Sequence, residues 1–403
     1  MEGQRVLVQG RDRRQRSGSL TAVGAAASLA VAAFCYGTTE NLPVGLLRLM
    51  AADLGTSLSA VGLLVTGYGL TVAVVSVPLT RLTARMPRRL LLSGLLSVFV
   101  VTTLLSIVVS NYWVLLAARL ATALSQAIFW PVAAVAAAGL FSPEVRGRAS
   151  TVVFAGGSLA IVLGVPAGTW LGQQAGWRWA FLALSGLGLV ALVAAAVLLP
   201  SGAPGAGHTA VADTPDARRY WLLVVTTALA VTGYFTVYTY ITAFLTDVSG
   251  FSDRAISPLL LLYGAMDFIG LMCAGAVVDR GPRTLMIVAI ALLTTALLGL
   301  YVFGAGRAAA VGWSAVLGLG LPFMVPGLQL RVLQVAPGNT DIASAGTSAA
   351  FNVGIGCGAL VGGLLLPAFG VRATALAGAL LTAAALSVLL SERLLSERLL
   401  SPR

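Results

Sequence analysis

Three ionisable side chains lie inside long apolar runs of this sequence: Glu40, Arg119 and Asp267. An ionisable group in hydrocarbon costs roughly 2.5–3.5 kcal/mol on insertion scales, so a chain that keeps one uses it or pairs it. A carboxylate at that depth is suited to binding and releasing a proton. Glu40 precedes Arg48, at the outer end of its run, by about 12 Å of helix. Arg119 lies about 10 Å into a run that starts at the same face. The matched depths predict that the two side chains pair. Burial favours the neutral carboxyl and a nearby Arg the charged one. A moving Arg119, or an arriving solute, would then switch Glu40 between loaded and empty. A permanent ion pair that only orients two helices is the other reading. Asp267 sits near the middle of its run, about 18 Å along a helix from Ala255 and from Asp279, with no local partner. Its readings are a second proton site, an anchor for a cationic solute, or a protonated Asp bonded to a neighbouring helix.

Uncharged polar and aromatic groups in the same runs are candidates for a solute site. Asn41 follows Glu40, and Gln126 and Trp130 fall one helical turn apart. Tyr234, Tyr238 and Thr242 repeat at i, i+4 and i+8, one face of a helix. Gln329 and Asn352 lie within later runs. Rings and amides suit a sugar, by stacking on its C–H face and bonding its hydroxyls. They equally suit flat drug molecules, and each ring alone is as well explained by packing or interfacial anchoring.

The elements that must position these groups are twelve apolar runs, near 20–50, 57–80, 89–110, 112–140, 149–172, 178–199, 220–246, 255–278, 284–304, 309–332, 343–367 and 372–391. Each is long enough for a membrane-spanning helix, which needs roughly 20 residues for about 30 Å of hydrocarbon. The first exceeds one upright crossing and contains Pro43, which is expected to bend it. Hydrophobic residues make up 58% of the 403 and charged residues 10%, far from a soluble globular average. The chain therefore reads as an all-α membrane protein of twelve transmembrane helices.

The net charge of +11 comes from 25 basic residues, all Arg. Nineteen fall on one side of the predicted spans, in both tails and in loops containing Arg81, Arg85, Arg88, Arg89, Arg146, Arg148, Arg218, Arg219, Arg280, Arg283 and Arg331. Only Arg48, Arg178, Arg254, Arg307 and Arg372 fall on the other. The positive-inside rule then places both termini in the cytoplasm. This distribution argues against nucleic acid as the partner of the charge and for a lipid bilayer. The run after the basic start is too long for a cleaved signal peptide. Cys35, Cys273 and Cys357 all lie inside spans and read as packing residues.

Segment 200–219, rich in Gly and Pro, reads as a linker between a bundle at 20–199 and one at 220–391, with tails at 1–19 and 392–403. The lone His208 falls in that linker and reads as solvated surface. The duplicated SERLLSERLL at the C-terminal end reads as an amphipathic extension of the last helix. The two bundles are related. A shift of 195 residues aligns Ser57, Ala60, Leu64, Tyr68 and Gly69 with Ser252, Ala255, Leu259, Tyr263 and Gly264. It also aligns Arg85, Pro87, Arg88 and Leu90 with Arg280, Pro282, Arg283 and Leu285. Parallel repeats of this kind mark one transporter architecture, two pseudo-symmetric six-helix bundles.

The residues that carry a family likeness are TRLTARMPRRLLL, GAVVDRGPRTL, Arg119 in LLAARLATAL, and GGSLAIVLGVPAG. They resemble the loop, fourth-span and Gly/Pro-rich motifs of the major facilitator superfamily. In the first loop Arg85, Arg88 and Arg89 match the motif, while Thr80 and Ala84 replace its first Gly and its Asp. The second copy keeps Gly275, Asp279, Arg280 and Arg283. TTENLPVGLL, AIFWPVAA, VLGVPAGTWLGQQAGWR, LRVLQVAPGNTDIAS and FNVGIGCGAL resemble the twelve-span drug:proton antiporter branch, sugar-efflux members above all. Gln126 stands where those members have His, and Asp267 where they have a small residue.

The resemblance implies a monomeric bacterial inner-membrane transporter that exports a sugar or sugar-like solute by proton antiport and alternating access. Efflux of a drug, a chloramphenicol-type compound or a secondary metabolite is the alternative, and passive facilitation a rival. Glu40, Arg119 and Asp267 would couple protons in a cavity lined by the first and fourth helices. The loop residues Arg85, Arg88, Arg89, Asp279, Arg280 and Arg283 would gate it. Gly164, Pro166, Gly168 and Gly172 would let helices approach closely, and small residues in the fifth and eleventh spans are expected to slide between halves. No metal, cofactor, ATP-binding loop or intramembrane catalytic set is expected; a P-loop cannot occur without Lys.

Overall fold

The computed structural model describes residues 2–83, 85–141, 146–200, 215–338 and 340–400, without the side chains at 2–20, 138, 146–151, 341 and 393–400. His208, Ala84 and most of the 200–219 linker lie outside the described residues, as do the side chains of Arg146, Arg148 and the terminal arginines. Among the described residues there are fifteen α-helices and no strand. Twelve helical spans are long and apolar enough to cross a membrane. With an even number of spans, both chain ends share one face, called here the terminal face; the other is the distal face.

The first crossing is α1 (Glu2–Gly45), and it does not run on to residue 50 as the apolar pattern predicts. Pro43 lies inside it, and the helix breaks at Leu46 (φ −104°, ψ 10°) before the short α2 (Leu47–Asp53). The second half repeats this break. There α9 (Ala217–Tyr238) and α10 (Ile241–Asp247) are separated at Tyr240 (φ −115°, ψ 17°). After each short helix the chain turns through a glycine at positive φ, Gly55 at 61° and Gly250 at 69°. Those two are 195 residues apart, so the repeat extends to a backbone conformation that favours Gly.

The remaining spans of the first half are α3 (Leu58–Thr83), α4 (Arg88–Val108), α5 (Tyr112–Gly139), a fifth crossing and α8 (Trp177–Leu198). The fifth crossing is composite: α6 (Arg146–Leu159), a π-helical turn (Ala160–Gly164) and α7 (Val165–Ala175). A π turn of this kind is rare and concentrates at functional sites. In the second half α11 (Asp253–Val277), α12 (Pro282–Phe303), α13 (Arg307–Val335), α14 (Thr340–Phe369) and α15 (Arg372–Leu400) follow. Asp216 caps α9, its Oδ1 accepting from the backbone N–H of Arg218 and Arg219 at 3.0 Å.

Water cannot drive helices together inside a bilayer, so close packing of small residues does. Gly164 and Gly168 meet Thr38 and Leu42 of α1, and Gly172 meets Leu46 at its break, one pair per turn; a Cβ at Gly164 would lie 2.0 Å from Thr38 Oγ1. Gly354, Gly358 and Gly362 of α14 do the same against α9. These contacts lie within each half. The same two spans also meet the opposite half: Gly69 lies against the backbone of Asn352 and Gly356, and Gly264 against Ile161 and Val162.

Gly168→Leu is expected to cost about 1–3 kcal/mol by overpacking, read as a lower melting temperature in detergent by scanning fluorimetry. Gly94→Leu, where nothing lies within 4 Å of the new Cβ, leaves the melting temperature unchanged.

Candidate functional site

Pro43 has no N–H, so the carbonyl four residues earlier, that of Thr39, has no helical donor. Arg119 of α5 supplies one. Its Nη1 donates to Thr39 O at 2.6 Å and its Nη2 to Glu40 O at 3.2 Å. The guanidinium also stands 4.6 Å over the ring of Tyr68 from α3, and the side chain is only 1% exposed. Its Nε has no acceptor. Two carbonyl dipoles and a ring face thus hold this cation in the bundle.

The Glu40 carboxylate is not its partner. No ion pair joins the two, and Glu40 Oε2 instead accepts from Gln126 Nε2 at 2.8 Å. Gln126 Oε1 in turn accepts from the Tyr68 hydroxyl at 2.6 Å. The side-chain pairing expected from matched depths is therefore corrected. The depths do match, but the long Arg reaches the main chain, where Pro43 has left an acceptor open. The Tyr68 hydroxyl fixes which end of the Gln126 amide faces Glu40.

Glu40 and Asn41 line a cavity of about 210 Å³ between the halves. The π turn contributes Ile161, α9 contributes Tyr234, Phe235 and Tyr238, and α11 contributes Asp267. Leu321, Pro322 and Val325 of α13 and Phe351 and Ile355 of α14 complete the wall. Tyr234 stacks on Tyr238 with ring centroids 5.3 Å apart, and Tyr238 lies 5.2 Å from Tyr263. The Tyr263 hydroxyl donates to that of Tyr234. Asp267, by contrast, makes no hydrogen bond or ion pair among the described residues.

The distal side of the cavity is closed by bonds between the halves. Arg48 of α2 pairs with Asp247 of α10 and donates to Thr246 Oγ1 at 3.0 Å. Thr242 Oγ1 donates to Val44 O at 3.1 Å, Ser59 Oγ to Gly363 O at 2.8 Å, and Ser257 Oγ to Pro166 O at 2.9 Å. Gln173 Nε2 donates to Asp253 O at 2.6 Å. All these residues belong to the distal halves of their helices.

Several residues read from the sequence stand elsewhere. Trp130 is not on the cavity wall; it stacks on Phe154 at 6.0 Å, against Gly157. Thr242 leaves the Tyr234–Tyr238 face because the helix breaks at Tyr240, and it serves the distal closure. Gln329 is exposed outside the wall. The Asn352 amide bonds back to Ser348 O at 3.0 Å, and the Asn41 amide to Gly37 O at 3.0 Å. Arg85, Asp279 and Arg280 are exposed, and Arg88 and Arg89 are half-buried. Arg283 pairs with Glu392 at 3.1 Å, which Arg331 also contacts. Sequence reasoning missed Glu392, at 6% exposure, because it sits in a stretch that reads as amphipathic surface. It also missed Tyr68 and Tyr263, whose signal was their identity in the repeat.

Two pseudo-symmetric six-helix bundles around a central cavity define a membrane transporter. The sequence signature of the Major Facilitator Superfamily matches residues 29–345 and 224–400, and the chain belongs to that superfamily. It is 36% identical over 367 residues to the uncharacterized MFS-type transporter YtbD of Bacillus subtilis strain 168, covering 89% of this chain and 92% of that one. Its fold is similar to that of a bacterial homologue of the human lysosomal transporter Spinster, crystallised inward-facing and unoccupied. That likeness has a TM-score of 0.74 at 15% identity, over 93% of this chain and 97% of the other. It is also similar to the human organic anion transporter MFSD10 (TETRAN), with a TM-score of 0.65 at 15% identity over 92% and 99%.

Arg119→Ala leaves the Thr39 carbonyl buried without a donor, at a cost of about 1–3 kcal/mol. Pro43→Ala restores a backbone N–H to that carbonyl. Thermal unfolding of the two single variants and the double variant is expected to show a coupling of about 1 kcal/mol, with the double variant losing less than the sum. Strictly additive losses would contradict the assignment of Arg119 to this carbonyl.

Proposed function

We propose that this protein is a secondary active exporter, a monomer of the bacterial inner membrane that moves a small organic solute outward in exchange for protons. The observation that carries the reading is Glu40. It is an ionisable group on the cavity wall whose hydrogen-bond donor is a neutral amide, while the nearest cation is committed to backbone carbonyls. Such a carboxylate is able to gain and lose a proton without breaking the Arg119 contacts that hold the helices. Placing the terminal face in the cytoplasm follows the arginine distribution. The cavity, sealed on its distal side, then belongs to the inward-facing member of an alternating-access pair. The Tyr-Gly pairs at 68–69 and 263–264 support rocking of one bundle against the other, since each Gly brings a backbone of the opposite half into contact.

The motif likeness favours a sugar or sugar-like solute. The wall favours the other reading, an amphipathic drug-like molecule or metabolite. Seven of its twelve residues are apolar, and its polar groups are two carboxylates, two phenols and the Asn41 amide. Gln126, Gln329 and Asn352, the other candidate amides, are absent from the wall.

Proteoliposomes with an imposed pH gradient test the reading. The wild type is expected to dissipate the gradient when its solute is added, and Glu40→Gln to lose that dissipation at least tenfold while keeping downhill solute movement. Coupling that survives in Glu40→Gln sinks the proposal. Solute movement with no effect on the gradient in the wild type would make the protein a facilitator.

A further inference from the structure

We infer that the solute is a small organic monocation, and that Asp267 with Tyr234 and Tyr238 forms the site for its positive charge. This rests on the exporter reading for the route but not for the binding chemistry. The first argument is charge. The cavity wall carries two carboxylates, one from each half, and no Arg or His. Arg119, the buried cation of this region, is outside the wall, its Nη1 and Nη2 on the Thr39 and Glu40 carbonyls and its plane on Tyr68. The wall offers an anionic solute no cation, and a charged carboxylate there repels it.

The second argument separates the carboxylates. Glu40 has a donor in Gln126, built into the protein itself. Asp267 has none among the described residues, although Tyr234 and Tyr238 line the same cavity. The Tyr263 hydroxyl is spent on Tyr234 rather than on the carboxylate. A half-buried carboxylate left without donors is unfavourable unless a proton or a cation joins it. The arrangement is that of a counter-ion waiting for a charge from outside the protein.

The third argument is the rings. Tyr234, Tyr238 and Tyr263 are packed in series at 5.3 and 5.2 Å, and the first two face the cavity beside Asp267. Ring faces attract ammonium groups by about 0.5–1 kcal/mol when exposed and about 2 or more when desolvated. Phe235, Phe351 and Ile355 then cover an apolar body. At about 210 Å³ the cavity is below the roughly 300–1,000 Å³ of drug-sized sites, so the body is compact. A protonated or quaternary amine on one small ring or branched alkyl group fits these terms.

The test is isothermal titration of the full-length protein in detergent with benzyltrimethylammonium, phenethylammonium and tetraethylammonium, and with glucose and benzoate as neutral and anionic probes. At least one cation is expected to bind, with no heat from glucose or benzoate. Asp267→Asn should weaken that cation at least tenfold, and Asp267→Glu, which keeps the charge, by less. Equal melting temperatures of the variants exclude a folding defect as the cause. No binding by any of the three cations overturns the inference, as does binding that is indifferent to Asp267→Asn. In the pH-gradient assay the two proposals separate. Dissipation by glucose but not by the cations would keep proton antiport and end the cation site. Asp267-dependent cation binding with no gradient change would do the reverse.

Discussion

A proline in the first crossing helix leaves one carbonyl without its helical donor, and a single buried arginine fills the gap. The Arg119 contact to Thr39 and Glu40 joins α1 to α5, and Tyr68 of α3 supports it from beneath. Three helices of the first half are therefore fixed around one cation. Its charge is balanced by dipoles and a ring face, so the Glu40 carboxylate is left for the cavity. Gln126, held by the Tyr68 hydroxyl, aims that carboxylate without competing for its proton. Had Arg119 paired with the carboxylate, protonating Glu40 would have left a buried guanidinium uncompensated, a loss of about 3–5 kcal/mol.

The second half solves the same geometric problem with different chemistry. Its helix break at Tyr240 needs no proline, and the Tyr240 hydroxyl reaches across to Ala359 O at 2.9 Å. Glu40 and Asp267 are not repeat equivalents, since a shift of 195 residues carries them onto Phe235 and Val72. The scaffold is symmetric and the ionisable groups are not. On the terminal side the Glu392 carboxylate gathers Arg283 and Arg331, tying α12, α13 and α15 together. The equivalent position in the first half is Val197, so that tie has no counterpart there.

Much of this was legible in the sequence, because a bilayer imposes one-dimensional rules. Twelve apolar runs and the Tyr-Gly pairs at 68–69 and 263–264 needed no tertiary information. Ionisable residues in those runs marked the site, and Glu40, Asn41, Tyr234, Tyr238 and Asp267 do line one cavity. What failed was direction. Helical spacing put Thr242 with the tyrosines, but a break at Tyr240 intervenes and no local residue signals it. Depth put Arg119 level with Glu40, but the sequence pattern does not say whether an arginine reaches a carboxylate or a carbonyl. Pro43 was the clue, since a proline in a buried helix always leaves a carbonyl seeking a donor. Trp130 shows the converse: an aromatic one turn from Gln126, turned to packing by a glycine on the neighbouring helix.

The central claim is that Glu40, rather than any other group in the Arg119 network, changes protonation at the cavity. Infrared difference spectroscopy across a pH titration tests it most directly, following the carbonyl stretch of protonated carboxyls in the wild type and in Glu40→Gln. The account predicts a titrating band in the wild type with a component that disappears in Glu40→Gln and persists in Asp267→Asn. Identical titrating bands in the wild type and Glu40→Gln would contradict it, because Glu40 would then hold one protonation state throughout.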